Sequence, residues 1–152
     1  CKSQQAVDED MAAIKQVTTR VRIYSLAGCD EAEKVLRATQ KHNMTVWLGM
    51  WVSSDNKVFE NELQKLDSLF SQGLVRAGHV LGLHVGSEAI YRKEVTYEKA
   101  IENLVQVREL VARHGQVRAF PLTIADIGDT YLMYPALIDA VRAIQSRSVG
   151  VY

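Results

Sequence analysis

The chain has 152 residues, of which 47% are hydrophobic and 24% are charged, a composition typical of one globular domain with its own core. Its eighteen basic and eighteen acidic residues cancel, so no net charge attracts a nucleic acid or an anionic membrane surface. Because the sequence also lacks a long apolar run and begins without a signal-peptide pattern, we expect a soluble domain that binds neither of these partners.

Strand patterns and helix patterns alternate along the chain. In chain order, runs rich in β-branched and aromatic residues predict strands at residues 21–26, 45–52, 79–85 and 117–125, and at the C-terminal SVGVY. The stretches between these runs predict helices at residues 4–17, 30–42, 57–72, 96–114 and 134–144. The helix at 96–114 has the clearest apolar face, which contains Ala100, Ile101, Leu104, Val107 and Val111.

The strand runs are almost continuously apolar rather than alternating, as is typical of parallel strands that are covered by helices. Their spacing of roughly 25 to 40 residues fits repeated βα units. We therefore predict an α/β fold, which is either a doubly wound sheet or part of a (β/α) barrel. Pro121 lies inside the fourth run, where it cannot donate a ladder hydrogen bond, so we expect that strand to be short, kinked, or exposed on the side that the proline faces.

Polar and aromatic residues follow the ends of the predicted strands. In both candidate folds, ligands bind at the carboxyl ends of the parallel strands. The residues at these ends are Tyr24 with Ser25, Trp51, Ser87 with Glu88, and Thr123 with Asp126. They are the first candidates for a binding site, although strand ends also become polar simply because they meet water.

Glu88 is the leading catalytic candidate, because an apolar strand with glycines at 82 and 86 carries its carboxylate to the mouth of the fold. Partial desolvation at such a mouth raises the pKa of a carboxyl group toward the range that general-acid catalysis needs. A structural alternative remains open, in which Glu88 pairs with Arg92 or caps the next turn.

Two aromatic residues suit a carbohydrate ligand. Trp51 and Tyr91 present apolar faces that stack on sugar rings and polar groups that bind hydroxyls, although aromatic residues in a core pack in the same way. The four histidines show no metal-binding spacing, and the chain has neither a phosphate-binding glycine loop nor a nucleophile-elbow motif. We therefore predict no metal site and no cofactor.

The two cysteines, Cys1 and Cys29, are predicted to lie at the same end of the fold. A helix that runs away from Cys1 and a strand that runs back toward Cys29 return the chain to the end where it started. A bridge between them would contribute roughly 3–4 kcal/mol and indicate an oxidising compartment. Two unrelated reduced thiols are the alternative.

Several segments resemble those of a known family in their order and spacing. They are CKS at the start of a helix, RIY followed by a cysteine, VWLGMWV, VGSEAIYR and TIAD, of which VGSEAIYR is the most specific. The chain is similar, over nearly its whole length, to the fungal branch of the family-17 glycoside hydrolases. These are cell-wall β-1,3-glucanases and glucanosyltransferases built on a (β/α)8 TIM barrel.

The resemblance implies a role for each matching residue. Glu88 matches the acid/base of the retaining two-carboxylate mechanism, and the preceding Ser87 matches a position that helps to hold the bound sugar. The remaining matches would line the β-1,3-glucan cleft: Tyr24, Trp51, Tyr91 and Asp126. Cys1 and Cys29 match cysteines that pair in the fungal proteins. A secreted or cell-wall location is implied as well.

The chain also departs from the family pattern. Where relatives carry an aromatic residue after the fourth predicted strand, this sequence has Ile127 and Gly128, which removes one expected sugar contact. By the family pattern, residues 1–152 run from the first helix to the sixth strand and form a single incomplete barrel domain with about five parallel strands. The region of the catalytic nucleophile, a glutamate after the seventh strand, has no counterpart.

Two interpretations follow from this departure. In the first, the chain carries the acid/base half of a β-1,3-glucan hydrolase or transglycosylase. In the second, it is a non-catalytic truncated barrel that binds glucan or another protein chain. In either case the uncovered sheet edges and inner face must be covered, by the remainder of a longer chain, by a second copy of this chain, or by rearrangement into an open sheet.

Overall fold

The computed structural model of the chain describes residues 1–115 and 121–146. Its helices are α1 (Gln4–Ile14), α2 (Glu31–Lys41), α3 (Asn56–Ser71), α4 (Tyr97–Arg113), α5 (Gly128–Met133) and α6 (Ala136–Ser146). Its strands are β1 (Arg20–Arg22), β2 (Thr45–Met50), β3 (Val80–Ser87) and β4 (Leu122–Ala125). A helix follows each strand, which confirms the repeated βα units.

The four strands form one parallel sheet in the order β1-β2-β3-β4. A doubly wound sheet reverses its strand order at a switch point, whereas consecutive neighbours are the arrangement of a (β/α) barrel. The structure therefore confirms the α/β fold and selects the partial barrel from the two alternatives. The fifth predicted strand, SVGVY, lies outside the described residues.

Short polar side chains start three of the helices. Ser3, Asp55 and Thr96 stand immediately before α1, α3 and α4, and the side-chain oxygen of each accepts a hydrogen bond from a backbone N–H of the first turn. Such caps satisfy donors that have no partner inside the helix. The helix starts are therefore set locally by the sequence.

Two strand predictions need correction, and one helix was not predicted. The first predicted strand, 21–26, is limited in the structure to β1, because the chain after Arg22 leaves the sheet and forms a loop. The fourth predicted strand, 117–125, lies partly outside the described residues, and β4 begins after the exposed Pro121, whose carbonyl accepts a hydrogen bond from Leu83 N. The short α5 was not predicted.

The core lies between one face of the sheet and the helices. Helix α2 packs on β2, α4 packs on β3 and β4, and α6 packs on β4. The side chains buried in this layer include Leu36, Val46, Leu48, Leu66, Leu83, Val85, Leu104 and Ile124. None of the described helices has the length and apolar character that a membrane span requires.

The opposite face of the sheet is crowded where β2 meets β3. A Cβ atom on Gly49 would lie 2.2 Å from the imidazole of His84 and 2.4 Å from the carbonyl oxygen of Ile23. Gly49 pairs with His84 across the strands, so the glycine makes room for the buried ring. This close approach explains why a strand interior contains a residue that normally weakens strands.

A disulfide joins Cys1 to Cys29, with their Cα atoms 5.3 Å apart. The bridge connects the residue before α1 to the turn before α2, which confirms the pairing that the chain topology suggested and the resemblance implied. Lys34 reinforces this corner, since its ammonium donates to the carbonyl oxygens of Lys2 and Cys29.

We expect Gly49→Ala to lower the free energy of unfolding by about 3 kcal/mol, because the added methyl group meets both a buried ring and a backbone carbonyl. Gly128→Ala is the matched control, since a Cβ atom at Gly128 meets nothing within 4 Å. Urea unfolding of the two variants and wild type measures the difference. Equal stability of Gly49→Ala and wild type would contradict the described packing of His84.

Candidate active site

The residues that the sequence predicted for the site follow the carboxyl ends of all four strands. Tyr24 lies two residues after β1, Trp51 follows β2, Glu88 follows β3 and Asp126 follows β4. Ser87 is the last residue of β3. Because the strands are parallel, these residues lie along one edge of the sheet, where ligands bind in barrel folds.

A β-bulge at the end of β3 determines how Glu88 is presented. The pairing of Val85 with Ile124 is followed by that of Ser87 with Ala125, so one residue of β3 is extra. That residue is Gly86, whose φ of 78° lies in the left-handed region. Bulges near active sites re-aim the side chains that follow them.

Glu88 itself has a φ of 56°, a conformation that costs a residue with a side chain roughly 1–2 kcal/mol. Its N–H donates to the carbonyl oxygen of Ala125 at 2.8 Å, and its carbonyl accepts from Arg92 N at 2.9 Å. These two backbone bonds hold the residue in the strained conformation. The strain is therefore supported by the neighbouring strand and by the turn that follows.

The Glu88 side chain is exposed, and within residues 1–115 and 121–146 no hydrogen bond or ion pair engages its carboxylate. The structural alternative, in which Glu88 pairs with Arg92, is not observed. The Arg92 guanidinium instead donates to both oxygens of Glu94, at 3.3 and 3.0 Å, and to the carbonyl oxygen of Ser87. The hydrogen bonds that Arg92 donates are the main cause that lowers the pKa of Glu94.

Arg92 also positions the aromatic residue at the end of β2. Its guanidinium carbon lies 4.6 Å from the centre of the Trp51 ring, a cation–π distance. Another of its N–H groups reaches the carbonyl oxygen of Val52 at 3.5 Å. Arg92 thus links the end of β2 to the end of β3 and holds the half-buried indole beside the Glu88 turn.

Tyr24 is 50% exposed, and two neighbours fix its ring. The Arg22 guanidinium lies 4.7 Å from the ring centre, and the His84 ring meets it edge-on at 5.9 Å. Arg22 also donates to Nε2 of His84 at 3.2 Å.

Burial, with the nearby Arg22 charge, lowers the pKa of His84 to about 4, so this imidazole is neutral near pH 7.

Asp126 uses its carboxylate to hold the chain around Glu88. One oxygen accepts from Ile90 N at 3.0 Å and Tyr91 N at 3.4 Å. The other accepts from Ile127 N at 2.9 Å and Thr130 Oγ1 at 2.8 Å. Both oxygens are engaged internally, whereas the Tyr91 ring is 59% exposed. The contact between Asp126 and a sugar stays a prediction.

Glu62 is a functional candidate that the sequence analysis missed. It belongs to α3, and its side chain is only 2% exposed. Its carboxylate accepts from Ser25 Oγ at 2.5 Å, from Leu26 N at 2.6 Å and from Ala27 N at 3.3 Å. Burial raises the pKa of Glu62, although these hydrogen bonds oppose the shift. The carboxylate therefore holds the loop that follows β1 and carries Tyr24.

A signal for Glu62 was present in the sequence. The buried side chains of α3 include Phe59, Glu62, Leu66 and Leu69, which recur at the spacing of one helix face. A glutamate within such an apolar face needs hydrogen-bond donors from another part of the chain. Among the described residues, no three His, Cys, Asp or Glu side chains lie close enough together to hold a metal ion.

A protein-family model, described as the BtgE/BtgC glycoside hydrolase domain, matches residues 1–147 of the chain. Among curated proteins, the glucan endo-1,3-beta-glucosidase btgC of Emericella nidulans is 30% identical over 151 residues, which are 95% of this chain and 22% of that protein. The glucan 1,3-beta-glucosidase of Saccharomyces cerevisiae is 27% identical over 112 residues, or 74% of this chain and 35% of that protein.

Two solved structures share the fold. An active-site mutant of the Rhizomucor miehei β-1,3-glucanosyltransferase, in complex with laminaritriose, has a TM-score of 0.78 and 31% identity, with 93% of this chain and 49% of that chain covered. A second structure, of a glycoside hydrolase family 17 β-1,3-glucanosyltransferase from the same organism, has a TM-score of 0.73, 33% identity, and coverage of 84% and 45%. The chain thus spans about half of these structures.

We expect Glu62→Gln to lower the free energy of unfolding by about 2–3 kcal/mol, because an amide cannot accept from all three donors that face it. Glu60→Gln, on the same helix but exposed, is the matched control. Urea unfolding over a pH series measures both variants.

The decrease in the free energy of unfolding caused by Glu62→Gln should also depend on pH. The raised pKa means that the folded protein binds the Glu62 proton more tightly than the unfolded chain, whose pKa is near 4.5. The stability difference from wild type should therefore be largest at and below pH 4.5 and shrink as the pH rises. A difference that grows with pH would contradict the assigned cause.

Proposed function

We propose, since the chain belongs to the BtgE/BtgC glycoside hydrolase domain family, that it forms the acid/base part of an enzyme acting on β-1,3-glucan. The observation that carries the proposal is Glu88, an exposed carboxylate without a partner among the described residues. A bulged strand end presents it in a strained conformation at the binding edge of the sheet. Strain of this kind clusters at functional sites.

The proposed reaction retains the configuration at the sugar carbon. A retaining glycosidase uses two carboxyl groups about 5–5.5 Å apart, one as acid/base and one as nucleophile. Glu88 protonates the glycosidic oxygen as the first bond breaks, and then accepts a proton from the incoming water or sugar hydroxyl. Water as the acceptor gives hydrolysis, and a sugar hydroxyl gives transfer.

Asp126 is a poor candidate for the nucleophile, because four donors already engage its two oxygens. We therefore infer that the nucleophile comes from a part of a longer protein outside residues 1–152. In the same proposal these residues form one segment of a larger barrel, whose remaining strands or a second copy of the chain cover the open sheet.

The glucan is proposed to bind along the carboxyl edge of the sheet. Trp51, Tyr24 and Tyr91 supply aromatic surface for sugar rings, and Ser87 supplies a hydroxyl beside the catalytic carboxylate. The similar glucanosyltransferase structure with laminaritriose supports an oligosaccharide of this linkage as the ligand. The disulfide indicates an oxidising compartment, which supports secretion or a cell-wall location.

A second candidate function is glucan binding without catalysis. The observation that favours it is that Asp126, the carboxylate at the end of the neighbouring strand β4, is already engaged by four donors and is a poor second catalytic group. Both candidate functions predict glucan binding, but only the first predicts turnover. A measurement of the reaction rate therefore distinguishes them.

We expect Glu88→Gln, in the full-length protein, to lower the rate of reducing-end release from a soluble β-1,3-glucan by about 100-fold or more. Glucan affinity should stay close to that of wild type, because the amide keeps the size of the side chain. Glu102→Gln is the control, since Glu102 is exposed on α4 and pairs only with Lys99 among the described residues. Undiminished turnover in Glu88→Gln would remove Glu88 from the mechanism.

A further inference from the structure

The turn between α2 and β2, together with the first residue of β2, has the sequence Asn43-Met44-Thr45. This is an Asn-x-Thr acceptor pattern for N-linked glycosylation, in which the middle residue is not proline. We propose that Asn43 carries an Asn-linked glycan. The inference is independent of the glucan activity proposed above.

The local structure explains the asparagine but not the threonine. Asn43 follows the end of α2 with a φ of 52°, a position where asparagine and glycine are preferred. The next residue, Met44, is buried and donates to the Thr39 carbonyl oxygen at 2.8 Å, which closes the turn. The hydroxyl of Thr45 makes only a long contact of 3.5 Å with the Thr19 carbonyl oxygen. The turn therefore needs no hydroxyl at this position.

The Asn43 amide is available for modification. The side chain is exposed, and no side-chain hydrogen bond engages it within the described part of the chain. A groove of about 390 Å³ opens beside it, with Gln40, Thr45, Arg76 and His79 in its walls. These polar walls can hydrogen-bond to the hydroxyl and amide groups of the first sugar.

The position of Asn43 is compatible with an active enzyme. Asn43 lies before the amino end of β2, whereas Glu88 follows the carboxyl end of β3. Because the strands are parallel, the glycan and the glucan cleft lie at opposite ends of the sheet. The disulfide between Cys1 and Cys29 independently indicates the oxidising secretory compartment, in which such glycans are added.

The modification has a defined chemical balance. A lipid-pyrophosphate-linked oligosaccharide is the donor. A bond forms between its first sugar carbon and Nδ2 of Asn43, while the bond from that carbon to the pyrophosphate oxygen breaks. The amide nitrogen loses one proton, and the lipid pyrophosphate leaves with the electron pair. No oxidant or reductant takes part.

Peptide mapping of the full-length protein, secreted from a eukaryotic host and confirmed as disulfide-bonded, tests the proposal. The peptide that contains residues 43–45 should carry a glycan. Treatment with an amidase that releases Asn-linked glycans, in water enriched in heavy oxygen, should leave a labelled aspartate at position 43. Asn56 and Asn61 are internal controls, because neither is followed by serine or threonine two residues later.

Three variants sharpen the test. Asn43→Asp and Thr45→Ala should lose the glycan, whereas Thr45→Ser should keep it. Aspartate is chosen because it tolerates the left-handed conformation of residue 43. The peptide map of the wild-type protein shows by itself whether Asn43 is glycosylated. The test therefore does not depend on whether every variant folds. An unmodified Asn43 in the secreted, disulfide-bonded protein would overturn the proposal.

Discussion

The carboxylate of Asp126 holds the turn in which Glu88 is presented, and the geometry of the site depends on it. Its oxygens accept from the backbone of Ile90 and Tyr91 on one side and from residues at the start of α5 on the other. Without this connection, the left-handed conformation of Glu88 would rest only on the two backbone hydrogen bonds of its own peptide groups. A buried or half-buried carboxylate is well suited to this task, because charged acceptors make the stronger hydrogen bonds.

The same principle explains how two other carboxylates near this edge are used. Glu62 accepts from the loop after β1, and Glu94 engages Arg92, which in turn covers the Trp51 ring. Each of these groups is engaged in holding the backbone or an aromatic side chain in place. Glu88 differs from them because it is exposed and has no partner among the described residues. Preorganised neighbours around one unengaged group are what general-acid catalysis requires.

Much of the fold could be predicted from the sequence, because apolar runs and helical periodicity are local signals. The strand ends at Trp51, Ser87 and Asp126 followed from the same signals. The length of β1 could not be predicted, since the chain leaves the sheet where a distant residue, Glu62, binds the following loop. The sequence also could not predict that Asp126 binds the backbone of Ile90 or that Arg92 reaches Val52. Both contacts join residues that are far apart in the chain.

The most direct test of the central claim is a crystal structure of the full-length protein with a bound β-1,3-linked oligosaccharide that spans the cleft. We expect a Glu88 carboxylate oxygen to lie about 2.6–3.2 Å from the glycosidic oxygen at the cleavage position. We also expect Arg92 to stay paired with Glu94. An oligosaccharide that binds at another edge of the sheet, or a Glu88 side chain turned away and paired with Arg92, would rule out Glu88 as the acid/base.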